Sequence, residues 1–600
     1  MSRTLDVEVG PGAISPAALA DIEKFEQMLA LYLAGDLDED RFRIFRLNNG
    51  IYGQRQGGHN QMVRIKVPYG AITAEQLDMM AHISETYSRG WGHITTRQNI
   101  QFHFVELERV PSLMRDLASI GMTSREACGD TVRNIIGCHL AGACPFEVLD
   151  ISPWAEAAFQ HFLRHGYSQR LPRKFKFNFS GCATDCGQAM FNDVGVIAVS
   201  RPKDDGSVEP GFRVFVAGGL GANPHPAQAL EEFTPREELM ATLEACLRTF
   251  DHYGNRDNKL RARMKWLVDT MGMEELRRKI LKERRLLLAA TTWPGGIPDY
   301  VREHGDEPAG ASNTIPLTPV GQDAGTNVVL RSTDRYGRWQ EANVVRGAAK
   351  GTVSAYAYAR LGDITTAQFR AVANIQRQLG CEVRVTNRQN FVFRDLTEDQ
   401  LPALYTKLDA IGMALPGAEL ARDVVSCPGA DTCNLAVTQS RGLADEIGKA
   451  LEESGLADVG GVRINISGCT NSCGQHHISD IGFVGVERRA YGRSAPGYQI
   501  MLGGRVGSAE IEFGRKTMRV PAKKAGEASV RLIGRFAAER SAGETFGQWL
   551  DRSGGVEAMA SYLADLDHFP TPDEGPEYYV DYDETGPFSA EVGAGECAGE

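Results

Sequence analysis

NFSGCATDCG at residues 178–187 and NISGCTNSCG at residues 465–474 are two spellings of one segment. Working outward from each, the same landmarks return in the same order. NDVGVIAV (192–199) pairs with SDIGFVGV (479–486), so Asp193 and Asp480 each stand seven residues past a cysteine. Upstream, ITTRQNIQF (94–102) pairs with VTNRQNFVF (385–393). Gly70-Ala71-Ile72-Thr73 pairs with Gly362-Asp363-Ile364-Thr365, and Ile120-Gly121-Met122 with Ile411-Gly412-Met413. So many pairs in one order make the chain two copies of one plan.

Each copy has the same local pattern. A short alternating strand (MVRIKV, 62–67; VSAYAYA, 353–359) leads into a helix after Ile-Thr. A second strand ends in TRQN or NRQN, a helix with apolar spacing follows, and then come the cysteines. Strand–helix units of this kind predict an α+β fold with an internal pseudo-twofold repeat. The expected units are 40–115 and 120–290 in the first copy, and 326–415 and 416–570 in the second. A Pro/Gly-rich linker covers 291–325, and an acidic, Gly-rich tail over 571–600 is expected to extend over the surface. A length of 600 residues suits about four units.

The net charge of −12 disfavours nucleic-acid binding. MSRTLDVEVG has no basic start followed by an apolar run, and no segment has the roughly 18 apolar residues of a membrane span. The expectation is a cytoplasmic protein without a membrane partner.

Eight of the twelve cysteines form two matching sets. They are Cys138, Cys144, Cys182 and Cys186, and Cys427, Cys433, Cys469 and Cys473. Each set has a C-x5-C pair and, 38 or 36 residues later, a C-x3-C pair. Four thiolates are what a [4Fe–4S] cube needs, and zinc ribbons favour C-x2-C knuckles instead. Eight small buried residues would be the plain alternative, but the doubled spacing argues against it. Cys246 and Cys381 read as core residues, and Cys597 as an exposed thiol in the tail.

The first copy also carries a set of basic residues. In RKFKFNF, Lys174 and Lys176 are two apart and share one face of an extended chain. Arg64 lies in the strand MVRIKV, and Arg133 precedes Cys138 by five residues. Any one of them alone is more often a solvated surface charge. Together they suit a small anion held on a metal, where Arg supplies fixed charge and a desolvated Lys can release a proton.

With these residues the chain resembles the siroheme-dependent sulfite and nitrite reductases, over about residues 40 to 570. The most specific part is CPGADTC (427–433) followed by NISGCTNSCG. The resemblance implies two ferredoxin-like halves forming one joint domain, plus two α/β domains that bind cluster and siroheme. It implies that Cys427, Cys433, Cys469 and Cys473 hold a [4Fe–4S] cluster, with Cys473 also axial to the siroheme. Arg64, Arg133, Lys174 and Lys176 would bind the anion. Arg97, Gln98, Asn99, Arg388 and Asn390 would hold the siroheme, and Asn471 could cap a carboxylate or a cluster sulfur. One departure stands out: the first copy keeps all four cysteines, where most members keep only the second set. Cys138, Cys144, Cys182 and Cys186 would then hold a second cluster. Conversely, Tyr356 aligns with Arg64 and Gly461 with Lys174, so the mirror-image site is eroded, although Arg422 and Arg463 align with Arg133 and Lys176.

The implied activity is six-electron reduction of sulfite to sulfide, with nitrite reduction to ammonia as the alternative. Lys176 favours sulfite, because nitrite reductases of the family tend to carry Asn there. A non-catalytic iron–sulfur electron carrier is a further possibility, opposed by the anion-pocket residues. No strand-linked G-x-G-x-x-G is present, so electrons are expected from a ferredoxin or a separate flavoprotein.

Overall fold

Thr73 and Thr365 open the equivalent helices Ala74–Thr86 and Thr366–Leu379, each with a capping box completed by Gln76 or Gln368. The repeated Ile-Thr of the sequence is thus a helix start. The two helices lie side by side, and the Ser84 and Thr366 hydroxyls bond at 2.6 Å. These features come from a computed structural model that describes residues 12–290, 330, 332–418, 420–507, 510–590 and 592–593.

Each half builds a five-stranded sheet and takes its fifth strand from the other. In the first, strands Ile51–Gly53, Asn60–Ile65, Ile100–Glu106 and Trp91–Ile94 are completed by Asp363–Thr365. In the second, Val344–Arg346, Thr352–Ala357, Phe391–Thr397 and Glu382–Val385 are completed by Ala71–Ile72. One hydrophobic core runs through both halves, and Trp339, Phe102 and Phe369 are all buried in it. Helices Pro16–Leu33 and Glu39–Asn48 add Ile22, Phe25, Leu29 and Phe42 to that core, so the first unit reaches upstream of residue 40.

Two further sheets carry the cysteines. In one, the short strand Ile136–Gly137 lies parallel to Phe177–Ser180, which lies parallel to Val194–Pro202; Val208–Val216 and Gln228–Pro235 continue antiparallel. Val425–Ser426, Ile464–Ser467, Ile481–Ala490, Arg493–Leu502 and Arg515–Pro521 repeat the plan. In both, the first two parallel strands end just before cysteines. Ligand loops in open α/β sheets gather at such carboxyl ends.

One expectation needs correcting. The segment read as a surface tail packs into the second cysteine domain at its start. Tyr582 joins that core, Tyr579 is buried beside Phe569, and Asp581 Oδ2 accepts from Gln439 N at 2.9 Å. Tyrosines in an acidic stretch supply the apolar area that docks it. The 291–325 linker and Cys597 lie outside the described residues. Among the described residues, no helix is long and apolar enough to cross a membrane.

Candidate active site

The two cysteine loops share one backbone shape. Asp185 and Gln188 flank Cys186 with positive φ, as Ser472 and Gln475 flank Cys473. The glycine after each last cysteine is obligatory: a Cβ on Gly187 would sit 1.9 Å from Phe179 O, and one on Gly474 would sit 1.9 Å from Ile466 O. Cys138, Cys144, Cys182 and Cys186 line one small pocket with Glu147. Burial pushes the Cys144 and Cys182 thiols up, and a hydrogen bond from Cys186 lowers Cys138. In the second set, burial and then Cys473 raise Cys427, Cys433 and Cys469. No disulfide joins these described thiols. Converging thiols, most of them pushed up by burial, fit a soft polycation that supplies the missing charge. Asn471 is exposed, and its backbone N–H bonds the Cys469 sulfur.

The first copy grips the second copy's cysteine loops. Thr96 Oγ1 donates to Cys473 O at 3.0 Å, and Arg55 Nη1 donates to Ala436 O at 3.0 Å. The mirror contact is Asn387 Nδ2 to Cys186 O at 2.6 Å.

The cations of the first copy converge. Arg64 Nη1 and Arg133 Nη1 both donate to Ala127 O, at 3.3 and 3.0 Å, and Arg133 Nε donates to Gly129 O at 3.1 Å. Arg64 also reaches Cys128 Sγ at 3.3 Å. Arg97 is held by Asn178 Oδ1, Asn192 Oδ1 and Asn134 O at 3.1, 3.3 and 2.8 Å. Burial, together with the Arg133, Arg263 and Arg64 charges, holds Arg97 below its ordinary range. Burial and the neighbouring Arg97, Arg263 and Lys174 push Lys176 well below the usual lysine range. Lys174 and Lys176 flank Phe175, which bridges Val132 just ahead of the strand, so their shared side survives although the regular strand starts at Phe177. So many cations gathered beside Asp193 fit a polyanionic ligand. Arg97 Nε and Asn99 Oδ1 are moreover buried without hydrogen-bond partners.

Sequence reading missed Arg263 and Lys265. Arg263 bonds Asp193 with both Nε and Nη2, at 3.0 and 2.8 Å, and Lys265 Nζ donates to Leu220 O at 3.1 Å. Their signal was RARMK (261–265), two more cations at a spacing of two, but it lies some 75 residues past the cysteine loop.

Three expected cofactor-holding residues are placed otherwise. Gln98 Nε2 donates to Val385 O at 3.0 Å and its Oε1 accepts from Gly137 N at 3.1 Å, so the amide is taken up in joining the halves. Asn390 bridges Ala359 N and Asp423 Oδ2, at 2.9 and 3.0 Å. Arg388 lies in a different pocket, with His139, Cys186, Tyr356 and Arg463. The pseudo-twofold sends equivalent arginines to opposite sites. In that mirror pocket Tyr356 OH and His139 Nε2 bond at 2.8 Å. Arg422, the counterpart of Arg133, pairs with Asp458 at 2.9 Å.

Comparison with known proteins bears on this geometry. Residues 128–286 and 417–567 match the nitrite and sulphite reductase 4Fe-4S domain, and residues 52–120 and 347–411 match the nitrite/sulfite reductase ferredoxin-like half domain. An assimilatory ferredoxin-dependent nitrite reductase of Haloferax mediterranei is 30% identical over 540 residues, 86% of each chain. A ferredoxin sulfite reductase of Mycolicibacterium paratuberculosis is 30% identical over 572 residues, 90% of this chain and 93% of that one. The solved structure of Mycobacterium tuberculosis NirA superposes with a TM-score of 0.73 at 28% identity, covering 90% of this chain and 95% of that one.

Proposed function

This chain belongs to the nitrite and sulphite reductase family, whose members use siroheme and a 4Fe-4S cluster, and on that premise we propose that it reduces sulfite to sulfide. The observation that carries the choice of sulfite is Lys176, set among Lys174, Arg97 and Arg263. A dianion with three oxygens gains more from this extra cation than nitrite does.

Cys427, Cys433, Cys469 and Cys473 would hold the cluster, and Cys473 would also help hold the siroheme. Arg97, Asn99, Arg263 and Lys265 are the candidates for its carboxylates. When bound, the siroheme and cluster would supply the redox chemistry, delivering electrons taken from an external donor. The chain's own residues do the rest. Arg64 and Arg133, aimed by backbone carbonyls, bind and orient the anion. Lys174 and Lys176 neutralise it, and Lys176, destabilised as an ammonium by its neighbours, can hand a proton to a substrate oxygen. Thr96, bonded to the Cys473 carbonyl, holds the second copy's loop against this first-copy face.

Cys138, Cys144, Cys182 and Cys186 would carry a second cluster that relays electrons. The mirror half has an eroded set of cations, since Tyr356 stands where the first copy has Arg64 and Arg422 is drawn to Asp458. The donor is a ferredoxin, with a flavoprotein as the alternative. Steady-state kinetics with sulfite and nitrite side by side, using a chemical electron donor, tests the reading. The expected result is a higher kcat/KM for sulfite; a higher value for nitrite overturns it.

A further inference from the structure

A buried ion pair stands behind the two distal arginines. Lys66 follows Arg64 by two residues, and its side chain is 2% exposed. Its Nζ lies 3.6 Å from Oε2 of Glu126, whose side chain is 0% exposed. Lys66 Nζ also donates to Val132 O at 3.4 Å. Oε1 of Glu126 accepts from Arg164 N at 3.0 Å, Ser168 Oγ at 3.3 Å and Gln169 Nε2 at 2.5 Å. Glu126 itself sits at φ +61°, a left-handed conformation that non-glycine residues adopt only when their surroundings impose it. The very next residue, Ala127, presents the carbonyl that takes both guanidiniums.

Stability does not explain this pair. Desolvating two charges offsets their mutual attraction, and here the Arg133 and Arg125 charges oppose Lys66 as well. We infer that Lys66 and Glu126 are positioning residues for the substrate anion: their ion pair holds the turn at 126–129 so that the Ala127 and Gly129 carbonyls aim Arg64 and Arg133. The inference rests on the reductase reading and adds to it the device that sets anion affinity.

Its electrostatics make it testable by pH. Burial lowers Lys66 to about 8, with Glu126 opposing and Arg133 and Arg125 assisting. Above that pH the ammonium is lost. Glu126 is then an uncompensated anion next to the arginine clamp and draws Arg133 away from its carbonyls. The KM for sulfite therefore rises on the alkaline side. Fold stability from the same group moves the other way. A lysine whose folded pKa is depressed adds stability as pH climbs from about 8 toward its unfolded value of 10.5. A merely structural pair would not weaken anion binding in that window.

The experiment uses the holoenzyme and measures both the sulfite KM and the sulfite-dependent change in heme absorbance from pH 6 to 10. Glu126→Gln should raise KM about tenfold with kcat changed less than about twofold. Lys66→Arg keeps the charge without titrating, so KM near neutrality should stay close to wild type while the alkaline rise attributed to Lys66 disappears. If either variant fails to fold, the neutral pair Lys66→Met with Glu126→Gln replaces it; it should fold, bind sulfite weakly and lack that rise. An alkaline rise unchanged in Lys66→Arg assigns it to other groups such as Lys176 and overturns the proposal, as does a wild-type KM in Glu126→Gln. Wild-type enzyme that turns over neither anion would instead remove the reductase reading.

Discussion

Gln188 and Gln475 bond each other's side-chain amides, Nε2 of each donating to Oε1 of the other, at 3.0 and 2.9 Å. They are equivalent residues of the two copies, each two positions past the last cysteine of its set, and both have left-handed backbones. A reciprocal contact between equivalent residues marks the pseudo-twofold axis, and it places the two cysteine loops on either side of that axis. A carboxamide both donates and accepts in one plane without titrating, which suits a self-complementary contact.

Replacing Gln188 with Ala leaves the Gln475 amide, only 7% exposed, without this partner. The expected cost is about 1–3 kcal/mol, read as a lower urea midpoint. The double variant Gln188→Ala, Gln475→Ala should cost less than the sum of the singles. Additive singles would mean that the pair carries no coupling.

Lys176→Asn should depress sulfite turnover by one to two decades, and nitrite turnover much less. It removes one charge and one proton source from the pocket, about 2–3 kcal/mol for a charge-assisted bond. Parallel assays of both substrates check this. Equal losses would show that Lys176 does not discriminate.

Cys473→Ser should abolish the coupling between siroheme and cluster, because a hydroxyl is a poor soft ligand for iron. Absorption and electron paramagnetic resonance spectra report the coupling. A variant that keeps both the coupled spectrum and full activity would refute the assignment of Cys473.

Anaerobically prepared protein with full siroheme occupancy should contain about nine irons per chain, since each cube contributes four and the siroheme one. Changing Cys182→Ser and Cys186→Ser together should bring the value to about five. A wild-type value already near five would leave the first-copy set without a cluster, and acid-labile sulfide measured alongside guards against adventitious iron.

Much of this was legible from short-range pattern. The capping boxes at Thr73 and Thr365 are four-residue signals, and they open the helices that follow. The C-x5-C and C-x3-C pairs each lie within one loop, so their spacing alone brings partners close. Lys174 and Lys176 share a side because an extended chain alternates, even though regular strand begins only at Phe177. The buried tyrosines of the C-terminal segment were not legible, because an acidic, glycine-rich composition masks a few residues that dock by area. Arg263 was missed for a related reason: its bond to Asp193 closes a loop of about seventy residues that no local pattern announces.

By itself the sequence determined that this protein is a doubled α+β chain with two matched cysteine sets and an asymmetric complement of cations, because repeat order, residue type and spacing are properties of the chain as written. Which equivalent residues share a pocket was decided only by the tertiary structure. Arg97 and Arg388 are spelled alike, yet one joins the first-copy cations and the other lies beside Cys186 in the mirror pocket. Gln98 looks like a ligand residue until Val385 O and Gly137 N take up its amide. The physical reason is that these contacts form across the pseudo-twofold, between segments as far as some 290 residues apart. A local motif fixes the shape of its own loop, but only the exchange of Ala71–Ile72 and Asp363–Thr365 between the sheets decides which loop it faces.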